Sequence, residues 1–295
     1  MRAGPILLYV IGIAFFCAMD AIMKQLVSAH PVLLATMWRY VAAALFILPF
    51  WWREGRPGIT REMLPAHALR GALIAASAFL FFWSLTVLPL AEAVTFAFVA
   101  PLMIPPLASL LIGERLEGGS VTAGVVGFLG VLVALGADPR TLAPDRLAGV
   151  GAVLLSALTY AVAIVITRLR AVRDGPSVLS LLGALFPMAF LLPFLAWQVP
   201  VAQWTPRGAD WLLVGLAGLT GAVALQLIAR AYARAEAQLL APFEYTALLW
   251  AALFGWAMFA EPVGPKTVAG AAIIALACLW QARRRAVPAP SSPAA

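Results

Sequence analysis

Residues Ala91–Glu114 have the sequence AEAVTFAFVAPLMIPPLASLLIGE, in which two glutamates bound 21 residues without a formal charge. An uncharged stretch of this length can cross the hydrocarbon core of a bilayer as a helix. A similar stretch, Ala235–Glu261, follows with the sequence AEAQLLAPFEYTALLWAALFGWAMFAE. The two Ala-Glu-Ala openings, at Glu92 and Glu236, lie 144 residues apart. This pairing predicts that the chain contains an internal repeat.

The composition of the whole chain is that of a membrane protein. Of its 295 residues, 63% are hydrophobic and 11% are charged, and the mean hydropathy is +0.96. Soluble domains carry about 25% charged residues. The formal net charge is +7, but the basic residues lie in short loops and in the tail. We interpret them as topology determinants that face anionic lipid, and we expect no nucleic-acid partner.

Ten apolar segments can be recognised along the chain, each about long enough to cross a bilayer as a helix. Their approximate bounds are Pro5–Val27, Val32–Trp52, His67–Leu88, Ala91–Gly113, Ser120–Gly136, Leu147–Thr167, Val178–Trp197, Trp211–Tyr232, Gln238–Phe259 and Thr267–Gln281. Prolines inside them, at 101, 105, 106, 187, 193 and 242, predict kinks or broken turns. Because the runs are continuous and do not alternate as in a barrel, we predict an all-α polytopic membrane protein with ten transmembrane helices.

The ten segments divide into two halves of five, residues 1–146 and 147–285, and a disordered tail follows at 286–295. Gly71 and Gly215 match at the same offset of 144 residues as the two glutamates. Because five is an odd number, the second half enters the membrane with the opposite orientation. Two inverted halves around a central cavity are a common plan of secondary transporters, which bind substrate between the halves near the midplane.

Lysine and arginine are distributed unevenly between alternate loops. With a cytoplasmic N-terminus, 14 of these residues fall on the inside and five on the outside, and Arg39 remains within the second segment. The excess of positive charge predicts that both termini are cytoplasmic, in a bacterial-type inner membrane. Ten spans suffice to enclose a cavity, so a monomer is sufficient.

Two short motifs close the fourth and ninth segments: Gly-Glu-Arg-Leu at 113–116 and Ala-Glu-Pro at 260–262. With the ten segments and the two halves, they resemble the EamA type of the drug/metabolite transporter superfamily over nearly the whole chain. The run Ala241-Pro242-Phe243-Glu244-Tyr245-Thr246 is similar to the ninth-helix motif of its amino-acid and metabolite exporters, and among these most similar to the aromatic amino-acid exporters. The resemblance implies a ten-helix basket with a central cavity.

Three charged residues lie within the first two segments, where an ionisable side chain is a candidate site by default. Asp20 and Lys24 are four residues apart, so they share one helix face and can form a pair. Arg39 lies about two turns into the second segment, near the expected depth of Lys24. One interpretation is a polar cluster that attracts a carboxylate or closes a gate. The other is an Asp20–Lys24 pair with Arg39 extending to the interface.

Glu244 and Tyr245 follow Pro242, which cannot donate a backbone hydrogen bond and leaves carbonyls free to face a ligand. Glu244 either exchanges protons or binds an amine, or it caps the kink. Asp20 and Glu244 are the two coupling candidates, and without either the protein would be a facilitator. Glu92 more simply caps the fourth helix, and Glu114 and Glu261 are interpreted as structural. The remaining cavity candidates are Phe79, Trp83, Thr95, Phe98, Tyr160, Gln226, Tyr232 and Trp250.

These observations favour a secondary transporter that exports small metabolites by alternating access, with amino acids including aromatic ones as the expected substrates. A transporter of anionic or phosphorylated metabolites or of drugs is the alternative, although only Lys24 and Arg39 could bind an anion within the membrane. A non-transporting membrane enzyme or scaffold is the other class. The two histidines lie in or beside loops and no Walker motif is present, so we expect neither an enzyme nor a metal, cofactor or ATP.

Overall fold

The computed structural model of the protein describes residues 3–113, 118–135, 143–174, 176–232, 243 and 246–285. Over these ranges all regular secondary structure is helical and no strand is present. The α-helices are α1 (Ala3–Ala29), α2 (Val32–Arg53), α3 (Leu64–Ser84), α4 (Leu90–Ala97), α5 (Ala100–Ile112), α6 (Gly118–Leu135), α7 (Pro144–Asp174), α8 (Pro176–Gln198), α9 (Asp210–Tyr232), α10 (Thr246–Phe259) and α11 (Pro265–Arg285). A short 3₁₀ turn, Val201–Gln203, precedes α9.

Six of the described helices are long and apolar enough to cross a membrane, by length and composition. They are α1, α2, α3, α7, α8 and α9, and four shorter apolar helical stretches accompany them. The prediction of an all-α polytopic membrane protein is therefore confirmed. The count of ten spans stays a prediction.

The fourth predicted segment is broken into α4 and α5 by a turn at Phe98 and Val99. Pro101 explains the break, because its ring nitrogen cannot donate to the carbonyl of Ala97 and its ring would clash there. The chain instead uses tighter bonds: the N–H of Val99 donates to the carbonyl of Phe96 at 3.2 Å, and that of Leu102 donates to Val99 at 3.1 Å. Pro187 and Pro193, by contrast, lie inside the continuous helix α8.

Glycines bring α9 close to α1 and α2. A methyl group at Gly218 would lie 2.3 Å from Cβ of Ala42 on α2, and one at Gly221 would lie 3.0 Å from Sδ of Met19 on α1. At Gly215 in the same series a methyl group would meet nothing within 4 Å. Two of the three glycines of the series Gly215, Gly218 and Gly221 therefore form a close-packing face of this helix.

The helices exchange partners between the two parts of the chain. Helix α1 packs mainly against α9 and α10, while α3 packs mainly against α7 and α8. Helix α2 lies against α8 and α9, and α6 lies against α11. The core therefore forms between the two parts of the chain, and not inside each part separately.

Two ends of the bundle can be distinguished by their connections. One end carries the turns between α1 and α2, α3 and α4, α8 and α9, and α10 and α11, and we call it the Lys24 end. Side chains of the neighbouring helices hold these turns. Nε1 of Trp38, on α2, donates to the carbonyl of Trp204 at 2.5 Å, and Nζ of Lys24, on α1, donates to the carbonyl of Leu88 at 2.8 Å. The opposite end, where α3 begins and α7 ends, is called the His67 end.

Candidate functional site

Lys24 joins three separate segments at the Lys24 end. Its ammonium donates to the carbonyl of Leu88 at 2.8 Å and forms an ion pair with the carboxylate of Glu261. It also lies 5.3 Å from the ring centre of Phe259. The expected Asp20–Lys24 pair is therefore wrong: Lys24 is paired with a residue 237 positions later in the sequence.

Glu261 is placed for this contact by the local backbone after α10. Ala260 has a positive φ of 54°, and the N–H of Glu261 donates to the carbonyl of Gly255 at 3.2 Å, so the chain turns sharply back. The second carboxylate oxygen of Glu261 then accepts a hydrogen bond of 2.9 Å from the N–H of Leu90, the first residue of α4. A carboxylate at a helix N-terminus accepts a hydrogen bond from a free backbone N–H and interacts favourably with the positive end of the helix dipole. Glu261 thus caps α4 from a different part of the chain.

Asp20 lies one turn further inside α1 and is only 4% exposed. In the part of the chain that the structure describes, its carboxylate forms no ion pair and no hydrogen bond. The guanidinium of Arg39 lies within electrostatic range of it but does not contact it. An ionised carboxylate buried without a partner is costly, and an ionisable residue inside a membrane segment is a candidate site by default.

Arg39 is surrounded by apolar and aromatic groups. Its guanidinium lies 4.0 Å from the ring centre of Tyr40 and 5.3 Å from that of Phe82, and Nη1 donates to Sδ of Met19 at 3.4 Å. Its Nε is buried and has no hydrogen-bond partner among the described residues. The positive charge is therefore stabilised by ring faces, and at least one donor remains available.

Two further buried donors near the core have no partner within the described ranges. They are the hydroxyl of Tyr40 and the indole Nε1 of Trp250, whose ring stacks on Phe254 with centres 6.4 Å apart. Gln226 on α9 is also buried, at 8% exposure. Unsatisfied polar atoms of this kind are uncommon in a folded interior, so these donors are candidate contacts for a ligand or water.

The other predicted cavity residues are placed in different ways. Thr95 is buried, but its hydroxyl already donates to the carbonyl of Ala91 at 2.7 Å. Phe98 is buried beside the α4–α5 break, and Phe79 and Trp83 on α3 are half-buried. Tyr160 on α7 is 41% exposed. Tyr232 ends α9, and Glu244 and Tyr245 lie outside the described residues.

Several charged contacts were not anticipated from the sequence. Glu92, expected as a helix cap, lies in the first turn of α4, but its partner among the described residues is Arg146 at the start of α7, from whose Nη2 it accepts at 3.2 Å to each oxygen. His67, expected in or beside a loop, is fully buried and contacts Asp174 at 2.9 Å. The spacing of Arg170 and Asp174, four residues apart on α7, was the available signal for a charged cluster there. No group of three metal-binding side chains occurs among the described residues.

The helices and the buried charges together define a multi-pass membrane protein with a candidate polar site on α1 and α2, at Asp20 and Arg39. A model of the EamA-like transporter family matches residues 4–136 and again residues 147–282. The chain therefore belongs to the EamA-like transporter family. The expectation of a transporter and not an enzyme is supported by this family and by the names of its relatives.

Characterised relatives are similar along most of their length. An S-adenosylmethionine uptake transporter of Rickettsia felis is 25% identical over 280 residues, covering 92% of both chains. Riboflavin transporters of Rhizobium johnstonii and Vibrio cholerae are 28% and 31% identical, covering 94% and 81% of this chain and 90% and 78% of theirs. A protein of known crystal structure has a TM-score of 0.67 at 22% identity, over 97% of this chain and 99% of that one, which supports the fold alone.

These relatives support a bacterial multi-pass transporter of small metabolites, and their bacterial origin indicates the inner membrane. None of the three named here is an amino-acid exporter, so the comparisons give no support to that expectation. The cytoplasmic location of the termini stays a prediction.

Proposed function

We propose that this chain transports a zwitterionic small metabolite that carries a planar ring, by alternating access between two inverted halves. The observation that carries the proposal is the separation of two buried charges: Asp20 on α1 and Arg39 on α2 are close enough to interact but do not touch. A ligand with an ammonium group and a carboxylate can bind both at once, with the ammonium at Asp20 and the carboxylate at Arg39.

Desolvation explains why such a ligand is favoured. An unpaired ionised group inside a protein costs several kcal/mol, about half of a typical total stability. A direct ion pair between Asp20 and Arg39 would remove that cost without a ligand, but the side chains are held apart because Arg39 lies on the faces of Tyr40 and Phe82. A zwitterion that completes both pairs therefore gains more than a neutral or singly charged compound.

The ring is expected to lie against aromatic side chains near these charges. Phe82 and Tyr40 already flank Arg39. On α10, the indole N–H of Trp250 has no partner among the described residues and can donate to a ring nitrogen or carbonyl. S-adenosylmethionine has an amino-acid end and an adenine ring, whereas riboflavin has a ring but no zwitterion. S-adenosylmethionine is therefore the first compound to test, and aromatic amino acids, which share the same charged end, are the second.

Alternating access is supported by the way in which the helices exchange partners. The first helix of residues 1–146 packs on the third helix of residues 147–285, which is α9, and the first helix of the later part, α7, packs on α3. This reciprocal pattern is what two inverted halves around an in-plane axis would produce. We take 1–146 and 147–285 as the two halves and propose that they rock about the site.

The test is uptake by proteoliposomes that contain the purified full-length protein. Labelled S-adenosylmethionine, tryptophan, phenylalanine and riboflavin would be compared, with and without a pH gradient. We expect Asp20→Asn and Arg39→Gln each to lower uptake of the zwitterions by about tenfold or more, since a lost charge-assisted hydrogen bond is worth about 1.5–3 kcal/mol. Asp145→Asn and Arg61→Gln alter exposed residues and are the matched controls.

Different outcomes would separate the alternatives. Uptake of riboflavin alone, unaffected by either substitution, would refute the zwitterion. Uptake that requires the gradient and is lost in Glu244→Gln would establish proton coupling through Glu244. Uptake without a gradient in all variants except Asp20→Asn and Arg39→Gln would identify a facilitator.

A further inference from the structure

The chain contains two histidines, and each contacts an aspartate in the same way. Nε2 of His30, just after α1, lies 3.1 Å from Oδ2 of Asp210 at the start of α9. Nε2 of His67, in the first turn of α3, lies 2.9 Å from Oδ2 of Asp174 at the end of α7. We call these contacts the His30 pair and the His67 pair.

The two pairs occupy equivalent positions in the repeat. His30 and Asp174 are 144 residues apart, which is the offset that relates Glu92 to Glu236 and Gly71 to Gly215. His67 and Asp210 are 143 residues apart, one residue from the same offset. Each pair thus joins the end of the first helix of one half to the start of the third helix of the other half. The histidine and the aspartate have exchanged places between the two copies.

The pairs lie at opposite ends of the bundle. Helix α7 starts near α4, where Arg146 contacts Glu92, and Glu261 links the start of α4 to Lys24. The 31 residues of α7 extend about 46 Å from that end, at 1.5 Å per residue, and Asp174 is the last of them. The His30 pair is at the Lys24 end and the His67 pair is at the other.

The charges around the His67 pair disfavour a proton on the imidazole. Asp174 also accepts from Arg170 at 2.8 Å and 3.3 Å, and Arg70 lies close by, donating to the carbonyl of Leu179 at 2.6 Å. Among the described side chains, two arginines and one aspartate already leave a net charge of +1, and a protonated His67 would raise it to +2. Its side chain is 0% exposed, so water cannot offset that charge.

The imidazole of His67 nevertheless offers one position for a proton. With Nε2 donating to Asp174, the other nitrogen, Nδ1, is buried and has no hydrogen-bond partner among the described residues. A proton that arrives there creates a buried cation beside two arginines and weakens the contact between α3 and α7.

The His30 pair has fewer charges around it. Asp210 is the one charged side chain that contacts His30 within the described ranges, and a protonated imidazole would make the pair neutral overall. Trp38 on α2, with its ring centre 5.0 Å from that of His30, carries no charge, and Arg207 contacts Asp210 only through its backbone N–H at 3.5 Å. The two side chains are 25% and 23% exposed, so protons can reach them from water.

We propose that the two histidine–aspartate pairs are opposed, proton-biased latches of the transport cycle: acid strengthens the His30 pair and weakens the His67 pair. Low pH therefore favours a conformation that is closed at the Lys24 end and open at the His67 end, and high pH favours the reverse. This inference rests on the proposed alternating-access function, but it concerns conformation and requires no knowledge of the substrate.

The test measures each end without transport. Hydrogen exchange of the purified full-length protein would be recorded at pH 5.5 and pH 8 and corrected for intrinsic rates. On acidification we expect protection to fall about tenfold in peptides that contain His67, because a buried partner is lost, and to rise about threefold in peptides that contain Asp210, because a partly exposed pair is gained. Because there are two histidines, ¹⁵N-histidine spectra of wild type, His30→Gln and His67→Gln would assign each titration.

The variants make the outcome decisive. Each His→Gln change keeps a hydrogen-bond donor but cannot gain a proton, so it should remove the contribution of its own pair and weaken the pH response, most strongly at its own end. Asp174→Asn serves if His67→Gln does not fold. A change of protection in the same direction at both ends, or an unaltered response in the variants, would overturn the proposal. Absence of transport with an intact pH response would instead count against the proposed function alone.

Discussion

Replacing Glu261 by glutamine tests whether the Lys24 end is held together by one charged residue. The wild-type carboxylate makes three favourable interactions. It neutralises Lys24, it accepts a hydrogen bond from the N–H of Leu90 at 2.9 Å, and it interacts with the positive end of the α4 dipole. Glutamine keeps one acceptor oxygen but loses the charge. The side chains of Lys24 and Glu261 are 11% and 21% exposed, so the ion pair is only partly screened by solvent and is not fully buried.

The size of the effect follows from that partial burial. Breaking a fully buried pair costs about 3–5 kcal/mol, and an exposed pair contributes about 0–1 kcal/mol. We therefore expect Glu261→Gln to lower the free energy of unfolding by about 2–3 kcal/mol. Lys24 would remain held by the carbonyl of Leu88, but its charge would be unpaired.

A double-mutant cycle separates the ion pair from the cap of α4. Glu261→Gln, Lys24→Met and the double variant would be unfolded in a detergent–denaturant series, with unfolding followed by tryptophan fluorescence. The interaction energy should be about 1–3 kcal/mol, and Lys24→Met should rescue part of the loss in Glu261→Gln because it removes the unpaired charge. An interaction energy below about 0.5 kcal/mol would refute the reasoning, since independent residues are additive to that level.

Three further predictions concern packing, pH and transport. Gly218→Ala should destabilise by about 1–3 kcal/mol in the same unfolding assay, because its methyl group would lie 2.3 Å from Cβ of Ala42, whereas Gly215→Ala should not destabilise. Burial raises the pKa of the Asp174 carboxyl, but the hydrogen bonds from His67 and Arg170 outweigh it and hold the pKa below the ordinary value. This stabilisation is present above the unfolded-state pKa of about 3.9 and is lost as pH falls through the folded value, so the melting temperature should decline more steeply in acid for wild type than for Asp174→Asn. Asp20→Asn should lower the maximal uptake of S-adenosylmethionine in proteoliposomes without lowering the melting temperature, because the carboxylate has no protein partner to lose among the described residues.

The fold could be predicted because its signals are local. Uncharged runs of adequate length specify spanning helices, and Pro101 predicts the α4–α5 break through the hydrogen bond that it cannot form. The glycine series on α9 also predicts close packing. The sequence does not indicate that Gly218 faces a helix while Gly215 does not, because that difference depends on where α2 crosses.

The partners of charged residues could not be predicted, because they are set by contacts between distant segments. Spacing on α1 favoured Asp20 as the partner of Lys24, but Glu261 reaches Lys24 after the turn at Ala260 redirects the chain. His67 was dismissed for its position beside a loop, since the sequence does not show that Asp174 would cover it. In both cases, contacts between distant segments determine the partner of the charged residue, and local spacing does not show it.

The repeat distributes chemistry unequally between the two halves. The two histidine–aspartate pairs follow the repeat, since each joins one half to the other and the two lie at opposite ends of the bundle. Asp20 and Arg39 are not repeated, since the positions 144 residues later are Ile164 and Gly183.

Gly183 is the position in the second half that corresponds to Arg39. A methyl group there would lie 2.7 Å from Nη2 of Arg70, so the space is filled by an arginine from α3 that belongs to the charged cluster at the His67 end. Substrate charges are therefore expected to contact the first half only, while both halves contribute to closing the ends. With the charged contacts on one half, the two halves can move about the ligand while the ligand keeps the same charged partners. The proposed alternating access around one fixed site requires such an arrangement.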